Sequence, residues 1–248
     1  MGDGFGKEIH LSVVVPAYNE EKRIERTLRE IIAYLKSKPF KSEIVVVNDG
    51  SNDGTSDASR VILDGFEDFQ IISRAENRGK GYSVREGVLH AGGDIILFSD
   101  ADLSTPMQEF DKLHEWIGKG YDIAIGSRAV KGAEVVVRQN MLRECMGKVF
   151  NLFVKMFTMR GISDTQCGFK CFTRKVAQDI FERQTIPGFG FDIEILFIAR
   201  RLGFKIKEVP VRWFNSPKTK VNILSDPLKM FLDLFKIRLN HILGRYKI

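Results

Sequence analysis

The 248-residue chain is 44% hydrophobic and 28% charged, with a net charge of +6. That apolar fraction supports one large domain or two small ones and excludes a disordered chain. The positive balance suits an anionic partner, but nucleic acid, a membrane surface and a phosphorylated substrate all satisfy the sign.

The opening MGDGFGKEIH has no apolar core of the signal-peptide kind. IHLSVVVPAYNE is a β-branched run stopped at Pro16 and predicts a buried strand. In EEKRIERTLREIIAYLKS, Ile24, Leu28, Ile31, Ile32 and Leu35 recur at helical spacing among charges. SEIVVVNDGSNDGTSD predicts a second strand and a turn dense in Gly, Asn and Asp, with Thr55 capping a helix through Leu63. FQIISRAEN predicts a third strand, NRGKGYSVREGVLHA a glycine-bearing turn into a helix, and GDIILFSDAD a fourth strand. MQEFDKLHEWIGKG predicts a helix and YDIAIGSRAV a fifth strand.

Strand and helix alternate through Ser127, which predicts an α/β fold: a Rossmann-like, mostly parallel sheet with helices on both faces. Ligands in such sheets bind beyond the carboxyl ends of the strands. The chemically loaded segments 16–20, 48–51, 100–104 and 126–128 all fall at those ends.

The second half differs. VVVRQNMLRECMGKVFNLFVKMFTMRG predicts an apolar and basic helix over 135–159, and DTQCGFKCFTR a loop. Cys145, Cys167 and Cys171 cannot all pair, so a reducing compartment and small buried thiols are expected. GFGFDIEILFIARRLG predicts a helix, FKIKEVPVRWF a strand, and DPLKMFLDLFKIRLNHILGRYKI a last amphipathic helix. No apolar run reaches the roughly 18 residues of a transmembrane helix.

Asp100-Ala101-Asp102 places two carboxylates one residue apart after a buried strand. Such a pair can approach one hard cation that completes its shell with water and phosphate oxygens. It can equally be a solvated loop capping the next helix. Asp49 follows a second buried strand, suited to a base or ribose or to an Asx-turn. Tyr18 offers a flat face and Glu20 stands at a helix start.

Strand-VPAYNEE, strand-VNDGS, NRGKG, strand-DADLS and GSR, in that order, resemble the inverting family 2 glycosyltransferases of the GT-A fold, from His10 to at least Lys220. DTQCGFKCF, GFGFDIEILFIARRLG and VPVRWFNSPKTKV resemble the dolichyl-phosphate β-glucosyltransferase subgroup, with the dolichol-phosphate mannose synthases as near neighbours. The resemblance implies a nucleotide sugar whose diphosphate lies by Asp100 and Asp102 with Mg²⁺ or Mn²⁺ between, Asp102 being the direct ligand. It implies a nucleotide pocket from Pro16, Ala17, Tyr18, Glu20 and Asp49, with Lys80 and Ala101 in the same set and Arg128 near phosphates and sugar. Asn48-Asp49 stands where many relatives carry paired Asp. Ser104 stands where mannose synthases often carry Gln, which leaves a third metal ligand open.

Arg128 and Lys218 or Lys220 are candidates to spread the charge of the leaving diphosphate, although the SPKTK lysines also read as a solvated cluster. Asp192 and Glu194 are a base for a hydroxyl acceptor or an orienting pair for basic residues; a lipid monophosphate, with a second pKa near about 6, needs no base. The expected catalytic set is Asp102, Arg128 and Asp192.

In the tail, Leu228, Phe231, Leu232, Phe235, Leu239, Ile242 and Leu243 can share one helical face, widened by Met230, Leu234 and Ile237. Lys229, Lys236, Arg238 and Arg245 fill much of the rest. Such a helix lies in a membrane interface, packs on the domain or forms a dimer seam. The expected organisation is a glycosyltransferase domain over 1–220 and an interface helix over 221–248. The expected protein is peripheral, on the cytoplasmic side of a membrane, with no nucleic-acid partner. Its expected reaction moves glucose from UDP-glucose to dolichyl phosphate, with GDP-mannose as alternative donor or a hydroxyl as alternative acceptor. A Mg²⁺-dependent phosphatase with an aspartyl nucleophile fits less well, because its DxD-like motif follows the first strand rather than the fourth.

Overall fold

The computed structural model describes residues 9–137, 141–159, 161–215 and 225–248. The first half follows the expected alternation: β1 (Leu11–Ala17), α1 (Glu21–Lys36), β2 (Ser42–Asn48), α2 (Thr55–Leu63), β3 (Phe69–Ser73), α3 (Lys80–His90), β4 (Ile95–Ser99), α4 (Phe110–Gly118) and β5 (Ile123–Ser127). Thr55 is the first residue of α2 rather than its cap, and Asp53 Oδ1 accepts its amide at 3.1 Å.

The second half departs from expectation in three places. The 135–159 segment is not one helix: Glu134–Val137 is strand β6, and α5 begins at Met141 (Met141–Phe157). Its Val-Val-Val run follows β propensity and pairs in parallel with β9 (Arg212–Phe214). The expected loop contains strand β7 (Phe169–Thr173), followed by α6 (Arg174–Arg183). The expected single strand after α7 (Phe191–Arg201) breaks at Val211 into β8 (Ile206–Pro210) and β9, because each half pairs with a different sheet.

The main sheet runs β3-β2-β1-β4-β7-β5-β8. All its pairs are parallel except those of β7, which is antiparallel to both β4 and β5. The strand period of two sorts side chains between two cores. Val14, Val45, Val47, Ile96 and Phe98 meet α3, α6 and α7 on one face. Val13, Val15, Ile44, Val46 and Leu97 meet α1 and α4 on the other. Both faces are thus covered, as a parallel sheet requires. Cys167 and Cys171 are buried free thiols, and burial pushes the Cys167 thiol up to about 11.

The C-terminal helix α8 (Ser225–Ile242) serves two environments. Met230, Leu234 and Ile237 are buried, as is Tyr246 beyond it. Leu228, Leu232, Phe235, Leu239, Ile242 and Leu243 are exposed. Phe231 sits between, its ring 5.2 Å from that of Phe153 on α5. The apolar residues therefore divide into a core stripe and a solvent-facing stripe, rather than forming one face.

Asp233 is half-buried where α8 crosses the start of α7, and a Cβ on Gly190 would fall 2.3 Å from its Oδ2. Burial raises this carboxyl to about 6, with Lys236 opposing and Glu194 adding. A carboxyl raised on folding contributes stability that is full below its unfolded value and is lost as pH rises through 6. Asp233→Asn should raise stability at pH 7.5 by about 1 kcal/mol, the linkage value discounted for partial exposure. Urea unfolding at pH 4.5 should show the gap shrinking sharply; an equal gap at both pH values contradicts the assignment.

Candidate active site

The carboxyl ends of β1, β2, β4 and β5 meet at one sheet edge, with the start of antiparallel β7 inserted among them. Pro16 and Ala17 close β1, and half-buried Tyr18 follows. Glu20 is the residue before α1 and its carboxylate is bound by Arg23. Arg23 is held above the ordinary arginine range first by that bond, with Asp102 and Asp100 adding to it after the opposing effect of burial.

Asp49 is buried, and its carboxylate is engaged on both oxygens. It accepts the amides of Arg78 and Gly79 at 2.8 and 2.9 Å and faces Arg74 Nη2 at 3.0 Å. It therefore fixes the loop that delivers Lys80 to the site.

Asp100 and Asp102 stand at the end of β4. The turn is anchored from α1, where Thr27 Oγ1 donates to the carbonyl of Ala101 at 2.6 Å. Leu103 adopts φ 45°, a left-handed conformation uncommon for a branched side chain. That turn lets Asp102 Oδ1 accept the amide of Ser104 at 3.0 Å. Strain of this kind persists where surrounding structure over-determines it. The Asp100 amide donates to the carbonyl of Gly168 at 3.0 Å. A Cβ at Gly168 would lie 2.0 Å from Asp100 Oδ2, so β7 approaches the acid closely only because Gly168 has no side chain.

Each strongly placed cation has an acid. Lys80 Nζ is 2.7 Å from Asp100 Oδ1. Burial would depress its ammonium, but Asp100, Asp192 and Asp102 together hold it above the usual lysine range. Arg128 binds Asp164 through Nε and Nη2 at 2.7 and 2.8 Å, with its amide on the same carboxylate. Glu208 in turn accepts the amides of Ser163 and Asp164 at 2.7 and 3.0 Å. Lys170 on β7 is fully buried, donates to the carbonyl of Cys167 at 2.7 Å and pairs with Asp192. Burial lifts the Asp192 carboxyl above the usual range, and Lys170 and Lys80 pull it back only in part. Glu194 is fully buried and accepts from Thr185, Ile186 and Tyr246.

The structure thus brings Asp100, Asp102, Lys80 and Asp192 into one charge cluster, with Arg128 also under the influence of Asp100. Lys218 and Lys220 lie outside the described residues. Sequence reasoning missed Lys170, Asp164, Glu208 and Arg23. The alternation Phe-Lys-Cys-Phe was the available signal for Lys170, a lone cation on one face of a short strand.

The model of Glycosyl transferase family 2 matches residues 12–181. The chain belongs to that family. This family 2 transferase is 39% identical over 259 residues to the dolichyl-phosphate beta-glucosyltransferase of Saccharomyces cerevisiae, covering 97% of this chain and 78% of the other. It is 34% identical to the Homo sapiens protein of the same name, covering 96% and 78%. Glucosyl-3-phosphoglycerate synthase from Mycobacterium tuberculosis, solved with Mn²⁺, UDP-glucose and phosphoglyceric acid, shares its fold. The TM-score is 0.68 at 21% identity, covering 98% of this chain and 81% of that one. Mannosyl-3-phosphoglycerate synthase from Rubrobacter xylanophilus gives a TM-score of 0.69 at 18% identity, covering 97% and 76%.

The acids fit a divalent cation. A cationic ammonium already stands on Asp100, and the donors are hard carboxylate oxygens. Among the described residues no group of three or more His, Cys, Asp and Glu forms a closed metal cage. A site with two carboxylates, completed by water and phosphate oxygens, matches Mg²⁺ or Mn²⁺.

Lys170→Met should lower stability by about 3–5 kcal/mol, because it leaves Asp192 buried without its partner. Lys170→Met with Asp192→Leu should recover part of that loss in denaturant unfolding. A single-variant loss below about 1 kcal/mol would mean that the pair is not held as described.

Proposed function

We propose that this transferase moves glucose, with inversion, from UDP-glucose to dolichyl phosphate or a related polyprenyl phosphate at a membrane surface, with Mg²⁺ or Mn²⁺. The observation that carries the reading is the Lys170–Asp192 pair. A hydroxyl acceptor needs a general base, and the acid placed for that work is already engaged by a buried ammonium. A phosphate acceptor is largely anionic at neutral pH and needs none. The names of the 34% and 39% identical relatives support glucose and dolichyl phosphate. The UDP-glucose and Mn²⁺ of the M. tuberculosis structure are consistent with the donor and the ion.

Pro16, Ala17, Tyr18 and Glu20 would border the nucleotide, with Asp49 fixing the loop beside it. Asp102 would be the direct ligand of the cation and Asp100 its neighbour. When bound, the cation would supply Lewis-acid stabilisation to the leaving diphosphate. Arg128, oriented by Asp164, would spread the same charge, and Lys218 or Lys220 would add to it. Asp192 would position Lys170 rather than take a proton.

Among the described residues no helix is long and apolar enough to cross a membrane. The exposed stripe of α8 continues onto α5, where Val149, Leu152 and Met156 also face outward. Lys229, Lys236, Arg238 and Arg245 are exposed on α8 and just beyond it. An apolar stripe with basic neighbours suits peripheral docking on an anionic bilayer, here on the cytoplasmic side. The two buried free thiols fit a reducing compartment.

Asp102→Asn should reduce UDP-glucose transfer to dolichyl phosphate at least about 100-fold while leaving thermal unfolding unchanged. Excess EDTA should abolish the wild-type reaction reversibly. Turnover of GDP-mannose with none of UDP-glucose would replace the donor assignment. For the membrane, Leu232→Ser with Leu239→Ser should release the protein from anionic liposomes without lowering its melting temperature. Leu234→Ala should instead cost about 2–5 kcal/mol of stability. Liposome binding that survives the outward pair would reject the docking surface.

A further inference from the structure

Lys80 is the first residue of α3, and its ammonium occupies one of the two carboxylates that the cation needs, 2.7 Å from Asp100 Oδ1. Its surroundings keep it there. The side chain is mostly buried, and the rings of Phe98 and Phe191 lie 6.0 and 5.9 Å from Nζ. The neighbouring cations are engaged by other acids: Arg23 by Glu20, Arg128 by Asp164, and Lys170 by Asp192. A divalent ion approaching Asp100 therefore meets a like charge already in place.

We infer that Lys80 is an exchange cation. It neutralises Asp100 in the free protein, opposes divalent-cation binding there, and passes to the donor's diphosphate when metal and nucleotide bind together. The inference rests on the nucleotide-sugar reading of the site and deepens it. Nucleotide binding draws the ammonium off Asp100, and metal binding releases the ammonium for phosphate. Each ligand thus tightens the other by the same factor, and one lysine carries part of that coupling. Lys80 is then a positioning residue for the ion as well as a phosphate contact.

The test is Mn²⁺ binding to the full chain without nucleotide, read by electron paramagnetic resonance of the unbound ion. Lys80→Met should bind Mn²⁺ roughly tenfold more tightly than wild type, the lower end of what one adjacent charge does to a carboxylate's affinity for a cation. Lys80→Arg keeps the charge and should stay close to wild type. UDP should tighten Mn²⁺ binding in wild type and do so less in Lys80→Met. Equal or weaker Mn²⁺ binding by folded Lys80→Met overturns the exchange. Where Lys80→Met does not fold, Lys80→Gln is read in the same way. Failure of the nucleotide-sugar reading is distinct: wild-type Mn²⁺ affinity would then not respond to UDP at all.

Discussion

Carboxylates gathered at the end of a buried sheet repel one another, and each needs a counter-charge or a set of donors to stay ionised there. In this chain Asp49, Asp100, Asp164 and Asp192 are held at one edge, each facing a cation: Arg74, Lys80, Arg128 and Lys170. The packing around the edge follows from that requirement. All four cations come from elements other than those that carry their acids: Arg74 from the end of β3, Lys80 from the start of α3, Arg128 from the end of β5 and Lys170 from β7. The sheet is thereby tied across its width by charge as well as by hydrogen bonds.

Strand β7 gives the site its particular form. By running against β4 and β5 it brings Gly168 to the carboxyl edge and sends Lys170 toward α7. The missing side chain at Gly168 leaves room for the Asp100 carboxylate, and Lys170 anchors Asp192. One reversed strand thus serves both acids. Behind it, buried Glu194 joins α7 to Tyr246 near the end of the chain. The helix that carries the exposed apolar stripe is therefore fastened to the helix that begins at the site.

Much of this was legible in the sequence. The β-branched runs gave the parallel strands, and two acids one residue apart after a buried run marked the sheet edge where Asp100, Asp102, Lys80 and Asp192 gather. What was hidden depends on tertiary pairing. Phe169–Thr173 is short, follows a glycine and carries a lysine, so its pattern reads as loop until β4 and β5 flank it. Val135 and Val136 looked like the start of a helix because the apolar and basic pattern continues past them, yet their partner lies far along the chain at Arg212–Phe214. In α8 apolar residues occupy two stripes, and spacing alone does not say which one the domain covers. Glu194 read in the sequence as a base or as one of an orienting pair with Asp192, whereas four donors, none from a basic side chain, satisfy it in the interior.

On the proposed function, the acids after β4 hold a divalent ion against a nucleotide diphosphate, and Lys80 balances Asp100 until that ion arrives. A crystal structure of the chain with UDP and Mn²⁺, measured at the manganese absorption edge, tests it directly. The expected result is an anomalous peak between the carboxylates of Asp100 and Asp102, the diphosphate beside it, and Lys80 Nζ drawn away from Asp100. Manganese at another position, or UDP bound with no ion at these two acids, would contradict it.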